Sequence, residues 1–324
     1  MPPMKMIECF GFGRLKYFYQ MREGETMIVV KRMNQCTLAE VTLAWNRGFE
    51  GYFVPVTMTE ESLLQRLGRE EYAPSLSVVA FADGEPIGLV ASGVRTINGK
   101  KVAWNGGTGI ATAYRRQGVG RRLMEETLAL YREAGVELAT LEALRQNEKA
   151  IALYRQLGYE VTDRLLFWQR TDALADRPFG DVTSAPYRLR RGIPQEAASL
   201  SFYEADVPWQ NQWPSLRDGE AVFVEDGYGE TVGYAFYKRT LDESGKPTAI
   251  VLRQCAVLPG RADAEAIVRF ALAHVWAPLE LACTRSTFNL PASRKLVVSV
   301  LEQAGFQPSG TEQVYMIRPM EQGG

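Results

Sequence analysis

The chain has 324 residues, more than one typical domain, so two domains are expected. Its 46% hydrophobic content fills ordinary cores, and a formal net charge of −1 excludes a global basic field for nucleic acid or an anionic membrane surface. No apolar run approaches the ~20 residues of a bilayer span, and the single histidine, His274, excludes multi-histidine metal sites and leaves Ser-His-Asp or Cys-His catalysis only through itself.

Residues 1–26 carry charges and proline without a continuous apolar stretch, which argues against a secretory signal. They read as a loosely packed N-terminal extension, with Met27 a natural first residue. From there the pattern predicts a strand at 27–33, helices at 38–47 and 60–69, and strands at 77–82, 86–96 and 101–112. Asp83-Gly84 and Asn98-Gly99 mark hairpin turns. The last of these strands holds Gly106-Gly107-Thr108-Gly109, which suits either a bulged, bent strand or one crossed closely by another backbone. A glycine loop and a helix at 119–133 follow, then a strand at 138–143, a helix at 147–157 and a strand at 160–169.

Residues 171–185 lack periodicity, contain Pro178 and Gly180, and read as a linker. The same order then returns: a strand at 187–190, a helix at 195–205, strands at 221–225, 231–239 and 248–257, a helix at 263–276, a strand at 279–284, a helix at 292–303 and a strand at 312–317. This predicts the α/β class (an α+β mixed sheet with helices on both faces) as two tandem domains, 27–170 and 186–320, joined by 171–185. His274 falls in a helix-like stretch, where a structural or surface role is expected. Cys9, Cys36, Cys255 and Cys283 are scattered without any Cys-x-x-Cys, which suits free thiols in a reducing cytoplasm, so the expected location is cytoplasmic.

Chemistry concentrates in the run Tyr114-Arg115-Arg116-Gln117-Gly118-Val119-Gly120-Arg121-Arg122-Leu123. Glycines spaced Gly-x-Gly let the backbone turn tightly and bring N–H groups close to a ligand. The helix beginning there adds unpaired first-turn donors and the positive end of its dipole. The result is an anion cradle for a pyrophosphate, with four arginines for further phosphates. A dinucleotide-binding reading fails, because the loop follows several antiparallel strands instead of opening a βαβ unit.

Arg-x-x-Gly-x-Gly after Ile110-Ala111-Thr112 is followed by Leu141-Glu142, Asn147-x-x-Ala150-x-x-x-Tyr154 and Leu157-Gly158-Tyr159. In these motifs residues 27–170 resemble the GCN5-related N-acetyltransferases (the GNAT superfamily), which usually have proline where this chain has Thr112. The resemblance implies acetyl-CoA as co-substrate, no metal, and a cofactor site built from Ile110, Ala111, Thr112, Arg115, Arg116, Gln117, Gly118, Val119, Gly120 and Arg121, with Asn147 and Tyr154. Asn147 either meets the pantetheine arm or caps its helix. Transfer to an amine needs the amine neutral, yet its pKa is about 10.4, so a base must take a proton. Glu142 is the candidate base, the alternative being that it faces solvent or a neighbouring arginine; Glu50 is the runner-up, and an ordered water could take the proton instead. Glu142 and Tyr154 are spaced as the base and acid of N-terminal-alanine acetyltransferases acting on ribosomal proteins; Tyr154 would protonate the departing thiolate. A backbone N–H near Ile110 would meet the oxyanion, a donor typically worth ~3 kcal/mol. Substrate contacts are expected from Trp45, Glu50, Tyr52 and Trp104, although hydrophobic filling is an equal alternative for the aromatics around Glu50.

At the position equivalent to the glycine loop, the second half reads Val257-Leu258-Pro259-Gly260-Arg261-Ala262-Asp263-Ala264-Glu265-Ala266, with the Gly-x-Gly gone and two acids in its place. Either register of its tyrosine motif puts leucine, Leu296 or Leu301, at the acid position. This half is expected to be silent, and its aromatics Phe202, Tyr203, Trp209, Trp213 and Tyr228 either cover the active cleft or fill its own core. The implied activity is direct acetyl transfer to a primary amine of a small molecule or a peptide N-terminus, without an acyl-enzyme, by a monomer or homodimer using neither nucleic acid nor membrane. The alternative is a CoA-binding sensor or partner-binding module whose chemistry has decayed.

Overall fold

The computed structural model describes residues 5–10, 16–21 and 27–321. Strands β1 (Lys5–Phe10) and β2 (Lys16–Met21) pair antiparallel; the rest of the expected extension lies outside the described residues. Among the described residues no helix is long and apolar enough to cross a membrane. The chain divides into two compact units. One takes residues up to Leu64, Pro74–Ala91 and Gly107–Thr127; the other takes Gln65–Ala73, Ser92–Gly106 and everything from Leu128.

In the first unit, β3 (Ile28–Arg32) pairs antiparallel with β4 (Val78–Ala82), and β4 with the start of β5 (Glu85–Ile97). Left-handed Asp83 and Gly84, at φ 49° and 90°, make the expected turn between them. Helix α1 (Leu38–Gly48) opens on a capping box. Thr37 Oγ1 accepts the Glu40 N–H at 3.2 Å, and the Glu40 carboxylate accepts the Thr37 N–H at 2.7 Å. The helix ends where its backbone meets the end of β6 (Lys100–Ile110): a Cβ on Gly48 would lie 2.8 Å from the Gly109 carbonyl carbon. A Cβ on Gly88 would lie 2.4 Å from the Gly109 oxygen. Of the two readings of the glycine run, close backbone crossing is what the structure shows at Gly109. The strand stops at Ile110, two residues early, because Ala111 turns its N–H to the Ile87 oxygen (2.7 Å) and Thr112–Tyr114 coil into a 3₁₀ turn before α3 (Val119–Glu133).

In the second unit, β6 pairs in parallel with β7 (Leu138–Leu144), and that ladder runs only from Val102↔Leu138 to Asn105↔Leu141. Then come α4 (Glu148–Gln156), β8 (Glu160–Arg170), β9 (Arg188–Gly192), β10 (Glu220–Glu225), β11 (Thr231–Leu241) and β12 (Pro247–Val257). Helix α5 (Ala264–Val275), β13 (Thr284–Thr287), β14 (Leu290–Pro291), α6 (Lys295–Gln303) and β15 (Gln307–Pro319) complete the chain. The strand order is β6-β7-β15-β8-β13-β12-β11-β10-β9, with β14 on β8. The last strand of the second half thus lies between β7 and β8 of the first, while the end of β8 lies between β13 and the start of β15. The halves complete each other's ladders. Helices α5 and α6 bury Ile267, Phe270, Leu272, Val300 and Leu301 in this unit's core.

Three expectations need correction. The helix over 195–205 is a 3₁₀ turn at Pro194–Ser199 followed by two more at Trp209–Asn211 and Trp213–Leu216, in a segment broken by Pro208 and Pro214. The strand over 279–284 begins only at Thr284. The chain before it loops, and buried Arg285 gathers the carbonyls of Trp276 (3.0 Å), Pro278 (2.6 Å) and Leu281 (2.8 Å). Residues 171–185, expected as a linker, place Leu174 and Phe179 in the core of the second unit.

The Gly88 contact generates a test. Gly88→Ala should destabilise the protein by about 1–3 kcal/mol through overpacking, seen as a lower denaturation midpoint, whereas Gly84→Asn in the open, left-handed turn should cost far less.

Candidate active site

The glycine loop lies in the first unit. Arg116 (φ 64°) and Gly118 (φ 82°) are left-handed on either side of Gln117, so the backbone reverses hand twice. Nothing lies within 4 Å of where a Gly118 Cβ would be; the backbone conformation, not space, calls for glycine. Arg122 N–H bonds to Gly118 O at 3.0 Å and begins the α3 ladder, so the amides of Val119 and Gly120 precede it at the positive end of the helix. Arg115 is occupied within the protein. Its guanidinium donates to Ile110 O (2.8 Å) and Glu50 O (2.7 Å), which ties the loop to the chain after α1. Gln117 donates to Ala113 O at 2.7 Å, Arg121 pairs with Glu125 at 3.5 Å, and Arg116 is exposed.

Glu142 lies in the second unit, the first residue of β7 beyond the ladder with β6. Its cross-strand partner on β15 is Tyr315. The residue is half-buried, but its carboxyl tip is the buried part. Oε2 accepts the Trp104 indole N–H at 2.6 Å, and Oε1 is buried without a hydrogen-bond partner. Burial pushes the carboxyl up to about 7; the Trp104 hydrogen bond and the nearby Trp209 backbone N–H pull it partly back, and Glu70 raises it again. A carboxyl half-ionised at neutral pH, with one oxygen unpartnered, is equipped to accept a proton.

Asn147 caps α4, its Oδ1 accepting the Ala150 N–H at 3.3 Å. Tyr154 is buried on that helix, edge-on to Tyr159 at 6.1 Å. The expected substrate residues separate. Trp45 is 1% exposed, donates to Val56 O at 2.8 Å and packs on Phe49, which makes it core; Tyr52 is half-buried and Glu50 exposed. Trp104 is 2% exposed and serves Glu142. The pattern of the sequence missed the surroundings of Glu142, namely Glu70, Tyr72, Tyr315 and the contact with Trp209, which Arg95 holds in place. One signal was present, an arginine inside the apolar run of β5.

In the second half, Asp263 is bound by Arg261 (2.8 Å) and the Tyr187 hydroxyl (2.7 Å), and Glu265 pairs with Arg269 (2.9 Å). The charges of these two acids are therefore largely neutralised; what the loop lacks is the Gly-x-Gly backbone. A cavity of about 330 Å³ lies beside it, lined by Glu204, Cys255, Arg294 and Lys295 among others. His274 Nδ1 lies 2.8 Å from Phe270 O, a structural use. Among the described residues no group of three His, Cys, Asp or Glu could hold a metal ion.

Residues 41–159 match the family model of the acetyltransferase (GNAT) family. No curated protein matches the chain in sequence. Among solved structures the chain is similar to a GCN5-related glucosamine N-acetyltransferase region in a fungal multi-domain GH3 beta-N-acetylglucosaminidase (TM-score 0.64, 16% identity, 92% of this chain and 39% of that one). It is also similar to a tandem GNAT protein from the clavulanic acid biosynthesis pathway (0.58, 17%, 93% and 100%) and to a GCN5-related N-acetyltransferase from Sphaerobacter thermophilus (0.60, 14%, 91% and 96%). At these identities the likeness establishes the fold.

The Glu142 carboxyl predicts a pH-dependent stability. Its folded value near 7 lies above the ordinary 4.5, so the folded protein holds a proton that the unfolded chain releases. The group's contribution is complete below about pH 4.5 and is lost as pH rises through 7. Glu142→Gln should therefore match the parent near pH 4.5 and exceed it by about 3–4 kcal/mol at pH 8.5, from about 1.4 kcal/mol per pKa unit. Urea midpoints at the two pH values measure this; an equal difference at both would contradict it.

Proposed function

We propose that this chain, in which residues 41–159 match the GNAT acetyltransferase family model, catalyses direct acetyl transfer to a primary amine of a small molecule or a peptide N-terminus, with Glu142 as base and Tyr154 as acid. The observation that carries the reading is the buried, unpartnered Oε1 of a carboxyl whose pKa is about 7.

The family's co-substrate is acetyl-CoA, which when bound supplies an acetyl group on a thioester. The residues present suit its pyrophosphate: left-handed Arg116 and Gly118 turn the backbone into the start of α3, and Val119 and Gly120 present first-turn amides. Arg116 and Arg121 supply charge from side chains at the surface, while Arg115 holds the loop in place. Asn147 organises the start of α4 and so fixes the helix that carries Tyr154.

Glu142 Oε1 takes the proton that the amine nitrogen loses as its bond to carbon forms. The Tyr154 hydroxyl gives its proton to the sulfur as the carbon–sulfur bond breaks, and recovers one from solvent. A base near 7 fits work at neutral pH, because it is ionised in a large fraction of molecules yet still basic enough to accept. Transfer without an acyl-enzyme is supported by the surroundings of Cys36 and Cys255. Burial raises the Cys255 thiol to about 12 and also raises Cys36, so neither is a ready thiolate nucleophile.

CoA release with a panel of primary amines, together with acetyl-CoA binding by calorimetry, tests the reading. Glu142→Gln and Tyr154→Phe should each lose about 10²–10⁴ in turnover while still binding acetyl-CoA, and Gly118→Asp should lose binding itself. Saturable binding with no turnover on any amine would instead favour the sensor reading.

A further inference from the structure

Trp209 comes from the second half of the chain and Trp104 and Glu142 from the first, yet all three lie in the second compact unit. The two indoles stack nearly parallel, with centroids 5.3 Å apart and planes 8° apart. Tyr72 also stacks on Trp104, at 5.4 Å and 20°. Trp209 is 1% exposed, and its N–H donates to Glu70 O at 2.8 Å.

The first half is shaped to receive this ring. A Cβ on Gly93 would lie 2.7 Å from the Trp209 ring, so β5 carries glycine where the indole passes. Two residues on, the Arg95 guanidinium lies 3.7 Å over the same ring. It donates to Trp209 O (3.1 Å), Gln212 Oε1 (2.9 Å), Ser215 Oγ (2.8 Å) and Glu71 Oε2 (2.7 Å). Burying a guanidinium is costly unless each donor is met, and here the partners fix one ring and its backbone in one place. Such fixation exceeds what filling a core requires. Its effect falls on Trp104, whose N–H is the single hydrogen bond that Glu142 accepts from a side chain among the described residues.

We propose that Trp209 is a positioning residue for the acetyl-transfer reaction: the second half presses it flat on Trp104, which aims the indole N–H at Glu142 and keeps water from the carboxyl. This rests on the reading of Glu142 as base for its catalytic meaning, but not for its effect on Glu142 itself. The groups facing the carboxyl from the packed elements are Glu70 at the end of α2 (Glu60–Arg69), Tyr72 just after it, and Tyr315 across β15. Burial keeps both tyrosines neutral at physiological pH, and the Glu70 charge opposes ionisation of Glu142. No cation among them favours the charged carboxylate, so dryness, the largest influence, and the Glu70 charge raise its proton affinity, against the Trp104 indole N–H and the Trp209 backbone N–H, which lower it.

Titration of Glu142 by NMR, with the full chain labelled with ¹³C at the glutamate Cδ, reads the proposal without any substrate. The Glu142 resonance is the one that disappears in Glu142→Gln. Trp209→Ala should admit water and lower the midpoint by about one unit or more, whereas Trp104→Phe should raise it by removing the donor. Trp209→Phe, which keeps an aromatic lid, should stay close to the parent. Because the alanine variant opens a cavity, Trp209→Leu is measured beside it and should move the same way. An unchanged midpoint in folded Trp209→Ala or Trp209→Leu would overturn the proposal. Full turnover in Glu142→Gln would instead overturn the base assignment and leave the titration result standing.

Discussion

Strand β15 lies between β7 and β8, and much else follows from that exchange. Its backbone partners run from Gln313↔Leu144 to Pro319↔Leu138 on one side and along β8 on the other. Without β15, both β7 and β8 would present open edges, and unpaired backbone groups at a buried edge cost as much as lost hydrogen bonds. The end of β8 returns the service beside β13. Each half of the chain therefore lacks a strand that only the other supplies, and the exchange sets Tyr315 directly across from Glu142.

This dependence gives a structural role to a half whose loop at 257–266 has no Gly-x-Gly. The loop at 257–261 spends its cation on Asp226 and Asp263, so it is stable as it stands and presents no Gly-x-Gly backbone. What the second half contributes lies elsewhere: a strand, and an indole resting on Trp104. Around Glu142 the aromatic residues Trp104, Trp209 and Tyr72 exclude water while offering few groups that favour a charge. A carboxyl in such surroundings holds its proton to near neutrality. The environment, more than the residue type, fits it to the proposed role of base.

Local features were legible in the sequence. Asp83-Gly84 and Asn98-Gly99 adopt left-handed turns because few other residue pairs tolerate them, and α3 and the cap of α4 at Asn147 fall where spacing placed them. Gly118 is left-handed and opens a helix, as a Gly-x-Gly turn requires. Long-range features were hidden. Nothing in Gln307–Pro319 distinguishes a strand that completes its own half from one that crosses to the other, since its alternation is the same in both. Leu174 and Phe179 looked like isolated residues among turn formers, and only a core to receive them turns a linker into a packed segment. Trp104 read as a pocket residue because its N–H acceptor, Glu142, is 38 positions away.

The most direct measurement is the pH dependence of kcat/KM for acetyl transfer to whichever amine of the panel turns over fastest. A base in dry surroundings predicts an acidic limb with its midpoint near pH 7 that is abolished in Glu142→Gln. A limb near the ordinary carboxylate value of 4.5, or a limb near 7 that survives in Glu142→Gln, would contradict the account.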